Sequence, residues 1–197
     1  PYDTGMVTAA GGVFPLIRAR KTAEGVWHVL GGEGLLPEVG QEVQGEIDWQ
    51  RRYALMRTHT AMHILCGSVF RDYGALVTGG DMEPLQGRMD FEFESLTRDL
   101  VAVIEEAANC AVQAAREVQV SILPREEAFQ IPDLIRTKIN LLPPGIELVR
   151  TVKIVGLDLQ ADGGTHVHNT SEVGKMRIVD YKSKGKINKR IYVSLEA

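Results

Sequence analysis

Arg57-Thr58-His59-Thr60-Ala61-Met62-His63-Ile64-Leu65 is the stretch from which the rest of the chain is read. Residues four apart stand one above the other on a helix, so a helix here turns the imidazoles of His59 and His63 to one point, as a divalent metal requires. The pattern predicts a helix from near Ala54 to Tyr73, closed by Gly74 as a left-handed C-cap. Met62, Leu65, Val69 and Tyr73 form the stripe expected to pack on a sheet. His59 and His63 share an adjacent stripe with Cys66 and Phe70. Cys66 reads either as a third ligand or, more in keeping with its neighbours, as a small buried apolar residue. Alone, an HxxxH pair is a weak signal. About one hundred residues later Asp162-Gly163-Gly164-Thr165-His166-Val167-His168 places more donors in a glycine-rich loop, and the question is whether the two segments meet.

Towards the N-terminus, residues 1 to about 48 break into short β-prone runs at 13–17, 25–30 and 40–47, cut by glycine and proline. Short strands at this spacing suggest a small β-barrel or curled sheet, so residues 1–50 are expected to form a β-barrel-like subdomain and 51–197 a second domain. Asp48-Trp49-Gln50-Arg51-Arg52-Tyr53 reads as the hinge between them. Arg51, Arg52 and Arg57 make either a solvated helix start or a phosphate-contacting patch. His28, between Trp27 and Val29, is expected to be a surface or half-buried histidine.

Towards the C-terminus, a loop is expected over 75–80. A strand should follow, with Met89, Phe91 and Phe93 on one face and Asp90, Glu92 and Glu94 facing water or a partner. Leu96 to Val118 reads as a helix with Leu100, Val103, Ala107, Cys110, Ala111 and Ala114 on its buried face and Ser95 or Thr97 as cap. A strand over 118–123, a short helix from Pro124, a turn at Pro143-Pro144-Gly145 and a buried strand near 148–157 complete this half. Residues 176–181 and 187–195 form a closing hairpin. Lys175 to Ala197 carries seven basic and two acidic residues; Lys182, Lys184, Lys186, Lys189 and Arg190 are either edge-strand protection or a nucleic-acid contact. The fold class is α+β, long helices over an antiparallel sheet.

A chain of 197 residues, 44% hydrophobic, can bury a full core, and its formal charge of −4 excludes a generally basic nucleic-acid coat while allowing local basic patches. Cys66 and Cys110 give no disulfide framework and read as free thiols in a reducing compartment. No apolar stretch has membrane-span length and no leader appears, so a cytoplasmic, membrane-free protein is expected.

If His59 and His63 meet His166 and Asp162, three nitrogens and one oxygen converge, a set suited to zinc. Glycines at 163 and 164 would let the backbone approach the metal or substrate, and Thr165 offers a hydroxyl. A zinc protease is the disfavoured rival, because Thr60 stands where HExxH requires its glutamate. His168, two residues from His166, points the opposite way in an extended segment and suits a surface role.

Arg57-Thr-His-Thr-Ala-Met-His63, followed by Gly163-Gly-Thr-His-Val167 and Asn169-Thr-Ser-Glu-Val-Gly174, resembles the editing domain of alanyl-tRNA synthetases and its free-standing AlaX relatives. The family pattern is HxxxH on a helix, CxxxH within a CGGTHV-like loop, and an NTxEIG-like segment. Asp48-Trp-Gln-Arg-Arg52 and Leu123-Pro-Arg-Glu-Glu-Ala128 also match, so the resemblance spans essentially the whole chain. Pro1-Tyr-Asp-Thr-Gly5 is similar to the end of the GGGQPxDTG motif, and the sequence is expected to begin just after its triple glycine.

The resemblance implies a two-layer α/β editing domain with an antiparallel sheet, and one Zn²⁺ held by His59, His63, Asp162 and His166. It implies hydrolysis of the ester of tRNA(Ala) mischarged with serine or glycine, with His59, His63 and His166 at the reaction. Thr78, Gly163, Gly164 and Thr165 would meet the substrate, Thr78 resembling a threonine that reads the serine hydroxyl in some members. Arg51, Arg52, Lys182, Lys184 and Lys186 would meet tRNA. The length after the motifs suggests a compact trans-editing protein.

One residue departs from the pattern: Asp162 stands where the family has its cysteine ligand. The carboxylate either serves as a harder ligand or leaves a histidine-only site. Rival readings are a non-catalytic tRNA- or RNA-binding zinc protein and a metal-stabilised structural domain.

Overall fold

The computed structural model describes residues 1–22, 24–140, 142 and 145–196. The turn expected at Pro143-Pro144 lies outside the described residues. The chain divides into two compact units, Pro1–Ala54 and Leu55–Ala197.

In the first unit β1 (Gly5–Ala9), β2 (Gly12–Thr22), β3 (Gly25–Leu30) and β4 (Gln44–Ile47) pair antiparallel in the order β3-β2-β1-β4. The sheet is open; the described strands do not close into a barrel. The expected hinge is helical instead. Helix α1 runs from Trp49 to Tyr73, because Asp48 caps it: the Asp48 carboxylate accepts from Arg51 N at 3.0 Å and its carbonyl from Arg52 N at 3.0 Å.

In the second unit β5 (Val77–Glu83), β6 (Gln86–Glu92), β10 (Met176–Ser183) and β11 (Asn188–Leu195) form a sheet ordered β10-β11-β6-β5. A second sheet joins β7 (Val118–Pro124), β8 (Leu148–Ile154) and β9 (Asp158–Ala161). All these pairs are antiparallel, so the fold is α+β as expected.

Between Thr58 and Val69 all but His59 are buried, so α1 is covered on all sides where a one-sided stripe was expected. Met62 packs over Gly87 of β6, while Gly67 lies against Leu157 and Asp158 at the start of β9. Ile64, Leu65 and Val69 are fully buried with Phe91, each side chain contributing about 1.5–3 kcal/mol. Gly74, at φ +65°, ends the helix as expected.

Three readings need correction. The loop expected over 75–80 turns into β5 at Val77. Asp90, placed on the water-facing side, is 7% exposed and accepts from Arg190 Nε and Nη2 at 2.6 and 2.7 Å, because β11 lies directly beside β6 and supplies the cation. Helix α2 spans Arg98–Gln113, capped by Thr97, whose hydroxyl accepts from Leu100 N at 3.2 Å. Its buried face is Val101, Ile104, Ala108, Ala111 and Val112, one residue on from the expected stripe; Val103 is 53% exposed and Cys110 is exposed. Both stripes have helical spacing, and Asn109 decides between them. Its amide donates to Met176 O at 2.9 Å and accepts from Met176 N at 3.0 Å, pinning α2 to the start of β10.

Candidate metal centre

Two local structures carry the four side chains. His59 and His63 are one turn apart on α1; Asp162 and His166 lie in the loop after β9. The β8–β9 hairpin delivers that loop to the helix, and Asp162 N donates to Arg150 O of β8 at 3.0 Å. Ligand atoms of His59, His63, Asp162 and His166 all lie within 4.8 Å of one another. The ring centroids are 5.1 Å apart for His59 and His63, 4.2 Å for His59 and His166, and 4.6 Å for His63 and His166. The two segments meet.

The proton inventory at this point is short of donors. Thr60 Oγ1 donates its one proton to Met56 O at 3.0 Å and accepts from Val167 N at 3.2 Å. His166 Nδ1, 3.2 Å from the same oxygen, must therefore donate to it, which leaves Nε2 with a bare lone pair. That lone pair faces Asp162 Oδ2 at 3.0 Å, one acceptor opposite another. His59 adds to the deficit: Nε2 is 3.5 Å from Asp162 Oδ1, and Nδ1 is buried without a hydrogen-bond partner. Acceptors converging in a buried place call for a cation between them, and three imidazoles with one carboxylate form a donor set that a divalent metal accepts.

The electrostatics keep this set in its ligating form. Burial, reinforced by the neighbouring imidazoles, lowers His59 to about 3. Burial likewise lowers His166. Burial works to raise the Asp162 carboxyl, but the close approach of His166 and the other surrounding imidazoles outweighs that and holds it below the ordinary carboxylate range. At neutral pH His59 and His166 are thus neutral and Asp162 is ionised, as ligands must be. Asp162 is held from behind, its carbonyl accepting from Arg150 Nη1 at 2.9 Å and its carboxylate from Gly164 N at 2.8 Å.

His59 and His63 form part of the wall of a cavity of about 460 Å³, with Met62, Val77, Thr78, Met89 and Ile139 among the other lining residues. Thr78 occupies a β-bulge, since the β5–β6 register slips between Val77 and Gly79; a bulge re-aims its side chain. Its hydroxyl donates to Asn188 Oδ1 at 3.0 Å.

Residues 149–192 match the family model of the threonyl and alanyl tRNA synthetase second additional domain. The chain is 38% identical over 196 residues to a Saccharolobus solfataricus protein named alanyl-tRNA editing protein AlaX-M, covering 98% of this chain and 81% of that one. The protein of the same name from Methanosarcina barkeri is 35% identical over 199 residues, covering 99% and 82%. The chain belongs to the AlaX family. An alanine–tRNA ligase from Pyrobaculum aerophilum is 37% identical over 188 residues, 90% of this chain against 20% of the ligase.

The remaining sequence-derived residues scatter in their surroundings. A methyl on Gly164 would fall 2.4 Å from His59 Nδ1, so this glycine admits the ring, whereas Gly163 faces open space and Thr165 is exposed. Cys66 is buried in the cavity wall, and burial pushes its thiol up to about 12. His168 is exposed. Arg52 is ion-paired with Asp3 and Arg51 Nε donates to Tyr2 O, so both arginines hold the start of the chain. Lys182, Lys184 and Lys186 are exposed around the β10–β11 turn. Lys189 is buried, its ammonium donating to Gly185 O and Lys186 O at 2.9 and 2.8 Å. Sequence reading missed Asp158, Gln160 and Arg136, which stand behind His63; the signal was present in Asp158, Gln160 and Asp162, spaced by two along an extended segment.

Proposed function

We propose that this protein is a zinc-dependent deacylase that hydrolyses the ester of tRNA(Ala) mischarged with serine or glycine. The observation that carries the proposal is a donor set of three histidines and one aspartate, two of whose members line a cavity that also holds Thr78. Family membership supports it, since the relatives are named for alanyl-tRNA editing.

Zn²⁺ held by His59, His63, Asp162 and His166 would polarise an ester carbonyl or lower the pKa of a bound water towards about 7. The chain's own residues do the rest. Met62, Val77 and Met89 give the cavity apolar walls, which strengthen electrostatic interactions inside it. Thr78 spends its proton on Asn188, so its oxygen offers lone pairs to a substrate that brings a donor. Serine brings a hydroxyl and alanine does not. A site built to bond a hydroxyl discriminates far better than an apolar pocket, which separates near-isosteres by only about 10–200-fold.

Asn188 opens β11 beside the turn carrying Lys184 and Lys186, so these two exposed lysines lie near the cavity wall, suited to the phosphates of an acceptor end. They are better tRNA cations than Arg52, whose charge Asp3 already balances. Among the described residues no helix is long and apolar enough to cross a membrane.

The test is incubation of zinc-replete protein with seryl-tRNA(Ala), glycyl-tRNA(Ala) and alanyl-tRNA(Ala). Release of serine or glycine but not alanine, abolished in His63→Ala, is the expected result. Binding of tRNA(Ala) without deacylation of any of them would replace the proposal with the reading that Asp162 favours, a zinc protein that binds tRNA without chemistry.

A further inference from the structure

Beside His63 lies a carboxylate with no solvent exposure. Asp158 Oδ2 is 3.3 Å from His63 Nδ1 and accepts from Gln160 Nε2 at 2.6 Å; Asp158 Oδ1 accepts from Arg136 Nε at 3.4 Å. The Arg136 guanidinium is itself seated 3.9 Å over the ring of Phe70, one helical turn and more beyond Cys66 on α1. Gln160 Nε2 also comes within 3.5 Å of His63 Nδ1, so Nδ1 has two conceivable partners. A bare Nδ1 would set a lone pair against a buried carboxylate at 3.3 Å. A proton on Nδ1 makes a hydrogen bond to an ionised acceptor, roughly twice as strong as a neutral one. The proton therefore belongs on Nδ1, and Nε2 is left bare.

We propose that Asp158 is a positioning residue: by accepting from His63 Nδ1 it fixes the tautomer and the rotation of the ring, and so directs Nε2 at the point where His59, Asp162 and His166 converge. The inference rests on that cluster being the metal centre and adds the group that orients one of its ligands. Arg136 pairs with Asp158 and so compensates a charge held in a dry position. Residues next to Arg136, namely Thr137, Lys138 and Ile139, line the cavity, so the same carboxylate ties the cavity wall to His63. Partners of this kind usually change metal affinity by about 10–100-fold when removed.

The first measurement needs neither metal nor tRNA. Long-range ¹H–¹⁵N correlation of His63 in the metal-free wild-type protein is expected to show the proton on Nδ1. In Asp158→Ala the ring should shift to the Nε2–H form or to a mixture, and zinc affinity by chelator competition should fall about 10–100-fold. Asp158→Asn, whose amide oxygen can still accept from Nδ1, should restore the tautomer and part of the affinity. It also serves as the working variant if Asp158→Ala does not fold. A wild-type His63 protonated on Nε2, or folded Asp158→Ala with unchanged tautomer and zinc affinity, overturns the proposal. A wild-type protein with the Nδ1–H tautomer but no measurable zinc binding would instead sink the metal reading and leave the positioning role intact.

Discussion

Gly67 is a residue for which propensity and packing pull in opposite directions. It lies in the interior of α1, where alanine is favoured over glycine by about 1 kcal/mol. From the helix alone, Gly67→Ala should stabilise the protein. A methyl there, however, would sit 2.8 Å from Asp158 Cβ, 3.1 Å from Leu157 Cγ and 3.3 Å from Leu157 O. Carbon atoms rest about 3.5–4.0 Å apart, so the start of β9 must retreat by roughly 0.7–1.2 Å. Overpacking of this kind costs about 1–3 kcal/mol. Packing wins, leaving a net loss of up to about 2 kcal/mol. The retreat also draws Asp158 away from His63 Nδ1, already at 3.3 Å, past the hydrogen-bond range. Zinc affinity should fall by about tenfold or more. Thermal denaturation of the metal-free protein and chelator competition read the two effects separately. Gly163→Ala is the control, since nothing lies within 4 Å of its added methyl, and it should change neither. A Gly67→Ala protein that melts higher than wild type and binds zinc equally well would refute the reasoning.

Asp162→Cys should bind zinc more tightly than wild type in the same competition, because a thiolate is the softer ligand; equal affinity would mean that the aspartate costs the site nothing. In the native protein a thiol reagent should modify Cys110, which is exposed, and leave Cys66, buried and with its thiol pushed up to about 12, until denaturant is added; mass spectrometry counts the adducts. The Asp90 carboxyl is held below its ordinary value first by the hydrogen bond from Arg190. A depressed carboxylate stabilises the fold above its unfolded pKa, about 3.9, and that contribution disappears as pH falls through the folded value. The difference in melting temperature between wild type and Asp90→Asn should therefore be full at neutral pH and close below about pH 4; a gap that persists in acid would show that the pair contributes by shape alone.

Much of the fold was legible where one physical signal acted alone. The α1 C-terminus followed from Gly74, the closing hairpin from its two alternating runs, and the α+β class from helices interleaved with short strands. Reading failed where tertiary partners chose among equal local options. Two faces of α2 had helical spacing, and the clamp of Asn109 on Met176 selected the one that buries Val101 and Ile104 and exposes Val103. Asp90 looked like a water-facing residue until β11 brought Arg190 beside it. The stretch 48–53 looked like a hinge because it is polar, yet Asp48 makes it the first turn of a helix. The four clustered side chains were legible because two segments each carried chemistry at a fixed spacing. The pairing of Asp158 with Arg136 was not, since a buried ion pair between distant segments leaves no period in a sequence.

The buried ammonium of Lys189 has a consequence for the lysines around it. By donating to the carbonyls of Gly185 and Lys186 it fills the inside of the β10–β11 turn much as a bound potassium ion would, and it holds the turn's shape with no outside help. Lys184 and Lys186 are consequently displayed at a set spacing before any polyanion arrives. Encounter with one then immobilises two side chains but freezes no backbone, which spares most of the roughly 1–2 kcal/mol per residue that ordering a loose loop would subtract from the attraction.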